Sequence, residues 1–230
     1  MGFIFAPPPQ AVLPIAGEPE ALFPLRRVFL IGHNYAAHNK ELGAPDDPVI
    51  FLKPVDAVVP VPEGQLADIP YPPMSQNFQH EIELVVALRA GGRNISEAQA
   101  AECIYGYAVG IDFTRRDWHF TMRDKGQPWE KGKTCDAALP VTAVRKAEDV
   151  GSIEDLQIWL DVNGVRKQEG STAQMMHSAA KLIAHLSTFW ELKAGDIVFT
   201  GTPKGVGPVQ VGDVLQGGID KVGSIYARII

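Results

Sequence analysis

His80-Glu-Ile-Glu-Leu-Val-Val-Ala-Leu88 is an apolar run interrupted near its start by two carboxylates. On a strand, residues i and i+2 point to one face, so the spacing predicts that Glu81 and Glu83 project together. Two like charges side by side are costly unless both are solvated or share a counter-charge. The flanking residues, Ile82 and Leu84 to Leu88, read as a buried strand, and a hard divalent cation bound through oxygen would resolve the repulsion. A third oxygen ligand is offered by Asp112, a charge that ends the apolar strand Ala108-Val-Gly-Ile111. Carboxylates alone suit Mg²⁺ or Mn²⁺ better than Zn²⁺, which prefers nitrogen and sulfur. Exposed edge strands also carry Glu-x-Glu, so the spacing leaves a solvated face open beside a metal site.

Around this stretch the pattern is of many short strands and few helices, a β-rich α+β chain. Strands are expected at 27–31, 49–53, 80–88, 105–112, 196–200, 213–218 and 223–230, with Asn163-Gly164 as the turn of a hairpin. Ser96-Glu-Ala-Gln99 is a capping box opening a helix to about Cys103. Ser171-Thr-Ala-Gln174 is a second one. It is expected to open a helix whose Met175, Met176, Ala179, Leu182, Ile183, Leu186 and Trp190 follow helical spacing. A one- or two-turn helix is expected within 34–41, closed by Gly43 and Pro45. Residues 6–18 are proline-rich and read as an extended arm; the division is an arm over 1–24 and one catalytic domain over 25–230.

Composition narrows the function classes. The 230 residues are 46% hydrophobic and 21% charged, with a formal charge of −6 that disfavours a nucleic-acid surface. Cys103 and Cys135 stand far apart, as expected of reduced thiols rather than a disulfide or thiolate metal site. No apolar run reaches the ~18–20 residues of a membrane helix. Residues 1–16 lack a basic leader pattern, so a cytoplasmic enzyme with a small-molecule substrate is expected. Gly201-Thr-Pro-Lys-Gly-Val-Gly207 lacks the spacing of a phosphate-binding loop.

Further polar residues fit a cation-assisted enzyme. His38 and Glu41 lie one helical turn apart, the arrangement of a base oriented by a carboxylate, although an isolated pair of this kind is also a common solvated face. Lys133 beside a metal site would stabilise an oxyanion, with Lys131 as its competitor. Arg115, Arg116 and Arg123 follow Asp112 and are candidates for binding a substrate carboxylate.

The ordered set Gly32-His-Asn-Tyr-Ala-Ala-His38…Glu41, Phe51-Leu-Lys-Pro54, His80-Glu-Ile-Glu83, Gly110-Ile-Asp-Phe-Thr-Arg-Arg-Asp117, Pro128-Trp…Lys133 and Gly195 to Gly207 resembles the fumarylacetoacetate hydrolase family. The resemblance runs from about residue 27 to the C-terminus and is strongest to the compact fumarylpyruvate hydrolases and acylpyruvases. It implies a mixed β-roll, a homodimer, and Mg²⁺ or Mn²⁺ held by Glu81, Glu83 and Asp112. His38 with Glu41 would activate water, Lys133 would hold the oxyanion, and Lys53, Arg116, His119, Thr200 and Thr202 would bind substrate. The implied reaction is hydrolysis of a 2,4-dioxo acid, fumarylpyruvate to fumarate and pyruvate, as in gentisate-type aromatic degradation. Acetylpyruvate hydrolysis, oxaloacetate decarboxylation, and isomerase or hydratase chemistry on 2-oxo-alkenoates use the same metal site and stay open. A non-catalytic metal-binding protein is the alternative from another class. Three positions depart from the family pattern: His33 for arginine, His119 for glutamine, and Lys133-Thr-Cys-Asp136.

Overall fold

The structure is a computed structural model that describes residues 2–35 and 47–230. The short helix expected within 34–41 lies, beyond Tyr35, outside the described residues. A mixed eight-stranded sheet forms the centre. Its strands run in the order Val49–Lys53, Arg27–Gly32, Asp196–Phe199, Ile82–Leu88, Ile104–Ile111, Leu139–Thr142 and Val58–Val61, with Arg145–Lys146 pairing to one side. Ile82–Leu88 is the middle strand, antiparallel to both neighbours and buried along its whole length.

That burial explains why the strand reads as continuously apolar rather than alternating: it faces a core on each side. Leu84, Val86 and Leu88 enter the larger core, where they meet Ile158, Leu160, Leu215 and Ile225 of a five-stranded sheet. The helix Ala179–Phe189 adds Leu182, Ile183 and Leu186 to the same cluster. Val85 and Ala87 point the other way. There the proline-rich arm turns at Gly17 into the hairpin Val12–Ile15/Glu18–Pro24, and its Leu13, Ile15 and Phe23 pack on Val28, Leu30 and Phe199. The result is the β-rich α+β architecture expected, with the Asn163-Gly164 hairpin in place and both residues at positive φ, 51° and 75°.

Two expectations are corrected. The capping box at Ser171 closes only a single 3₁₀ turn, Thr172–Gln174, and the chain is extended again at Met175. Met175 bridges to Tyr35 and the Met176 N–H donates to the Asn34 carbonyl, so tertiary pairing overrides the local helix signal. Ser178 then caps the helix, its Oγ accepting from the Lys181 N–H. The second correction is that the strand expected over 80–88 is not continuous. It is Phe78–His80 and Ile82–Leu88 in two different sheets, with Glu81 between them. Three short helices, Arg116–Asp124, Glu130–Lys133 and Ala147–Val150, had no apolar periodicity to announce them. Cys103 and Cys135 are free thiols, and no helix among the described residues is long and apolar enough to cross a membrane.

Leu84 is fully buried in the larger core. Leu84→Ala is expected to cost about 2–5 kcal/mol, read as a lowered urea midpoint at unchanged slope.

Candidate active site

The site forms where two neighbouring strands leave the large sheet together. Phe78–His80 pairs with Thr114–Arg115 and Gly207–Pro208 in a small three-stranded sheet, and the chain passes into the large sheet at Ile82. Ile104–Ile111 makes the reverse passage, reaching the small sheet at Thr114. Each crossing carries a carboxylate, Glu81 on one and Asp112 on the other, and the Asp112 N–H donates to the Glu81 carbonyl at 2.7 Å. Glu83 lies one step inside the large sheet. Oxygens of Glu81, Glu83 and Asp112 lie within 4.8 Å of one another, and all three residues are buried.

Three buried cations hold this cluster. The Lys133 ammonium donates to Glu81 Oε2 at 2.9 Å, Asp112 Oδ2 at 2.7 Å and Thr114 Oγ1 at 2.8 Å, which uses its three protons. Arg116 pairs with the other oxygen of Glu81. Lys53 donates to the Phe113 carbonyl at 2.8 Å and lies 2.5 Å from Asp112 Oδ1. Among the described residues Glu83 receives no such cation; its Oε2 accepts the Gly201 N–H at 2.6 Å.

The protonation pattern follows. Burial, then Asp112 and Glu81, push the Glu83 carboxyl well above its ordinary value. Burial also acts to raise Glu81, but Lys133 and Arg116 outweigh it and hold Glu81 down. Burial lowers Lys53 despite Asp112, whereas Asp112 and Glu81 overcome burial at Lys133 and raise it. The cluster therefore lacks positive charge at Glu83. Asp112 is buried with both oxygens facing ammonium groups, Oδ1 that of Lys53 and Oδ2 that of Lys133. A buried all-oxygen set within 4.8 Å, with Glu83 lacking an ion pair among the described residues, fits a hard divalent cation.

Backbone geometry near Glu83 demands glycine. Gly201 sits at φ +97°, and a Cβ there would lie 2.9 Å from the Asn34 Cβ. Asn34 is itself buried and joins three segments: its Nδ2 donates to the carbonyls of His177 and Thr200, and its Oδ1 accepts from the His177 N–H. A second clamp lies on the other side, at Gln168. Its Oε1 accepts from the Ile82 N–H and from His80 Nδ1, while its Nε2 donates to Thr202 Oγ1 and the Pro203 carbonyl. Because that oxygen only accepts, His80 carries its proton on Nδ1. Gln168 is fully buried with every polar valence used, and it was not among the residues expected from the sequence.

A cavity of about 250 Å³ opens beside the cluster. Glu81, Lys133 and Thr202 line it, together with Phe51, Trp129 and one face of the helix Arg116–Asp124. Arg116 Nη1 donates to His119 Nδ1 at 3.1 Å, which places the imidazole proton on Nε2. Nε2 is buried with no hydrogen-bond partner among the described residues. Burial, Lys133 and Arg116 push the His119 value down to about 3, so the ring is neutral at neutral pH. Gly132 permits this contact, since a Cβ there would meet the His119 Cα at 2.5 Å.

Of the residues expected at the site, Glu81, Glu83, Asp112, Lys133, Arg116, His119 and Thr202 are brought together. Lys53 and Thr200 do not line the cavity. Lys53 stands behind Asp112, and Thr200 Oγ1 donates to the Leu84 carbonyl at 2.9 Å inside the sheet. Lys131 is exposed beside Trp118, which leaves Lys133 as the lysine of this site. His38 and Glu41 lie outside the described residues.

A buried carboxylate triad at a sheet crossing, joined to these motifs, defines a family. The fumarylacetoacetate (FAA) hydrolase C-terminal family model matches residues 27–230, and the chain belongs to that family. It is similar over 100% of its length to 99% of a fumarylpyruvate hydrolase from Pseudomonas aeruginosa whose crystal structure is a complex with Mn²⁺ and pyruvate, at 43% identity and a TM-score of 0.97. It is 41% identical to oxaloacetate tautomerase YcgM of Escherichia coli (strain K12), over 84% of this chain and 88% of that one. The mitochondrial oxaloacetate tautomerase FAHD1 of Bos taurus is 39% identical, over 89% and 91%. The Mn²⁺ in the Pseudomonas structure and the buried triad here agree on a divalent-metal enzyme.

Glu83 retains its proton between the ordinary carboxylate value and its raised one, and bound metal displaces that proton. Mn²⁺ affinity is therefore expected to rise with pH across that window and level off above it. Calorimetry in two buffers of different ionisation enthalpy should reveal the released proton. The metal-free protein is expected to lose stability as pH rises through the same window, because the unfolded carboxyl ionises more readily. Gln168→Leu strands four buried partners and is expected to cost about 1–3 kcal/mol, together with weaker Mn²⁺ binding.

Proposed function

We propose that this protein is a metal-dependent acylpyruvase that hydrolyses fumarylpyruvate to fumarate and pyruvate. The observation that carries this reading is the charge of the buried cluster. Among the described residues Glu81, Glu83 and Asp112 are matched in number by Lys53, Lys133 and Arg116. A divalent cation added to that set is offset in turn by a substrate-derived dianion, such as the carboxylate and enolate of pyruvate. Low dielectric makes this balance decisive. The whole-length similarity to a fumarylpyruvate hydrolase that binds Mn²⁺ and pyruvate supports the same chemistry.

Mg²⁺ or Mn²⁺ at Glu81, Glu83 and Asp112 supplies Lewis-acid stabilisation of developing enolate charge. The residues of the chain do the rest. His38, oriented by Glu41, takes a proton from the water that attacks the C4 carbonyl. His119, neutral and with an Nε2–H that no described residue accepts, donates to the oxygen of that carbonyl as it becomes negative. The C3–C4 bond then breaks, and its electron pair enters the enolate beside the Lys133 ammonium. Protonation at C3 gives pyruvate, and the acyl fragment leaves as fumarate. Thr202 holds the loop edge of the cavity through its bond to the Ile82 carbonyl, 2.7 Å. The family resemblance further supports a homodimer working in the cytoplasm on gentisate-type ring-cleavage products.

The identities of 41% and 39% to oxaloacetate tautomerases favour a second reading, keto–enol exchange of oxaloacetate at the same site. That reaction moves a proton between C3 and the C2 oxygen and adds no water. The two readings separate in one assay. Fumarylpyruvate is expected to be consumed with release of fumarate, fully dependent on Mg²⁺ or Mn²⁺ and abolished by chelator. Enolisation of oxaloacetate without fumarylpyruvate cleavage would replace the first reading by the second. Lys133→Met is expected to lower kcat by ~10²–10³ and His38→Ala by ~10²–10⁴. Because His119 stays neutral down to about pH 3, the activity profile at neutral pH is expected to contain no limb that His119→Gln removes.

A further inference from the structure

The helix Arg116–Asp124 turns Arg116, His119, Phe120 and Arg123 toward the cavity, the i, i+3, i+4, i+7 face of one helix. Its two arginines are in opposite situations. Arg116 is buried, and its guanidinium is committed to Gln79, Glu81 and His119. Arg123, two turns further on, has a side chain 45% exposed; its ion pair is with its own neighbour Asp124, 64% exposed. Exposed pairs of that kind contribute little and exchange readily. The guanidinium carbon lies 4.8 Å from the centre of the Phe120 ring, a contact that steers the group along the cavity wall. Among the described residues, the other cations considered for this role are engaged elsewhere. Lys133 has its three protons on Glu81, Asp112 and Thr114, Lys53 is behind Asp112, and Arg115 donates to the Lys131 carbonyl.

We propose that Arg123 binds the carboxylate at the far end of the substrate and thereby selects a long 2,4-dioxo diacid over a short one. The proposal rests on the acylpyruvase reading given above. Seven residues of helix place Arg123 about 10 Å from Arg116 along the axis. The metal-binding end of the substrate is fixed near Arg116, because Arg116 holds the ligand Glu81. A seven-carbon diacid can extend from the carboxylate cluster toward Arg123, and its second carboxylate then takes the place of Asp124 on a planar, bidentate donor. A four-carbon diacid is too short to use both ends, and acetylpyruvate has no second carboxylate to offer.

The test measures kcat/KM for fumarylpyruvate and acetylpyruvate with Mg²⁺, in the wild type, Arg123→Met and Arg123→Lys. In Arg123→Met the preference for fumarylpyruvate over acetylpyruvate is expected to fall roughly 10- to 100-fold, mainly through KM, with Arg123→Lys between. Equal losses on both substrates, or no loss on either, would overturn the assignment. Calorimetric binding of fumarate to the Mn²⁺-loaded protein gives an independent readout, expected to weaken in Arg123→Met. If the wild type cleaves neither acylpyruvate, the hydrolase reading fails on its own. Fumarate binding then still decides the arginine, and equal affinity in the variant rejects it.

Discussion

Burying three carboxylates within 4.8 Å of one another is the constraint on which the rest of this molecule turns. Left alone, such a cluster would protonate or pull water into the core. The chain surrounds it instead with cations that arrive from separate elements. Lys53 comes from an edge strand, Lys133 from a one-turn helix and Arg116 from the start of another helix. None of these could be lost without leaving an uncompensated charge in the interior. Glu83, served by a backbone N–H alone, is where a metal cation completes the set.

The cavity inherits its character from this arrangement. One end is crowded with fixed charge, while Phe51, Trp129 and Phe120 give apolar surface along its wall. His119 stands between, edge-on to Trp129 with ring centres 4.8 Å apart and hydrogen-bonded to Arg116. A neutral imidazole here donates one proton in a fixed direction, much as a carboxamide would, without adding a fourth positive charge. This gives a physical reason why histidine can stand where the resemblance to the family leads one to expect glutamine.

The sequence made the triad legible because charges inside apolar strands stand out, although spacing alone left Glu81 and Glu83 open to a solvated face. It also made the central strands and the Asn163-Gly164 turn legible, since uniform burial and turn chemistry are local signals. Gln168 left no trace. It lies in Val165–Ser171, where most neighbours are polar and exposed, and only the three-dimensional pairing reveals that this one faces inward. Lys53 could be recognised as a site residue, but whether it faces the cavity or backs Asp112 depends on strand register. The change of sheet at Glu81 was equally hidden, because both segments read as one strand. The helix expected from Ser171 failed for the same kind of reason: Asn34 and Tyr35, distant in sequence, claim Met175 and Met176 first.

Arg27–Gly32 lies beside Asp196–Phe199 in parallel, and Arg27 and Asp196 lock that pair with a 2.5 Å contact. During synthesis the first of these strands leaves the ribosome about 170 residues before the second. Until then one of its edges has no neighbour, and the Gly201 N–H that serves Glu83 does not yet exist as a structural element. The acidic cluster is complete in sequence at Asp112, yet the Gly201 N–H that meets Glu83 comes from the last quarter of the chain. Such non-local closure slows folding and prolongs the time an open edge is available to chaperones or to other nascent chains.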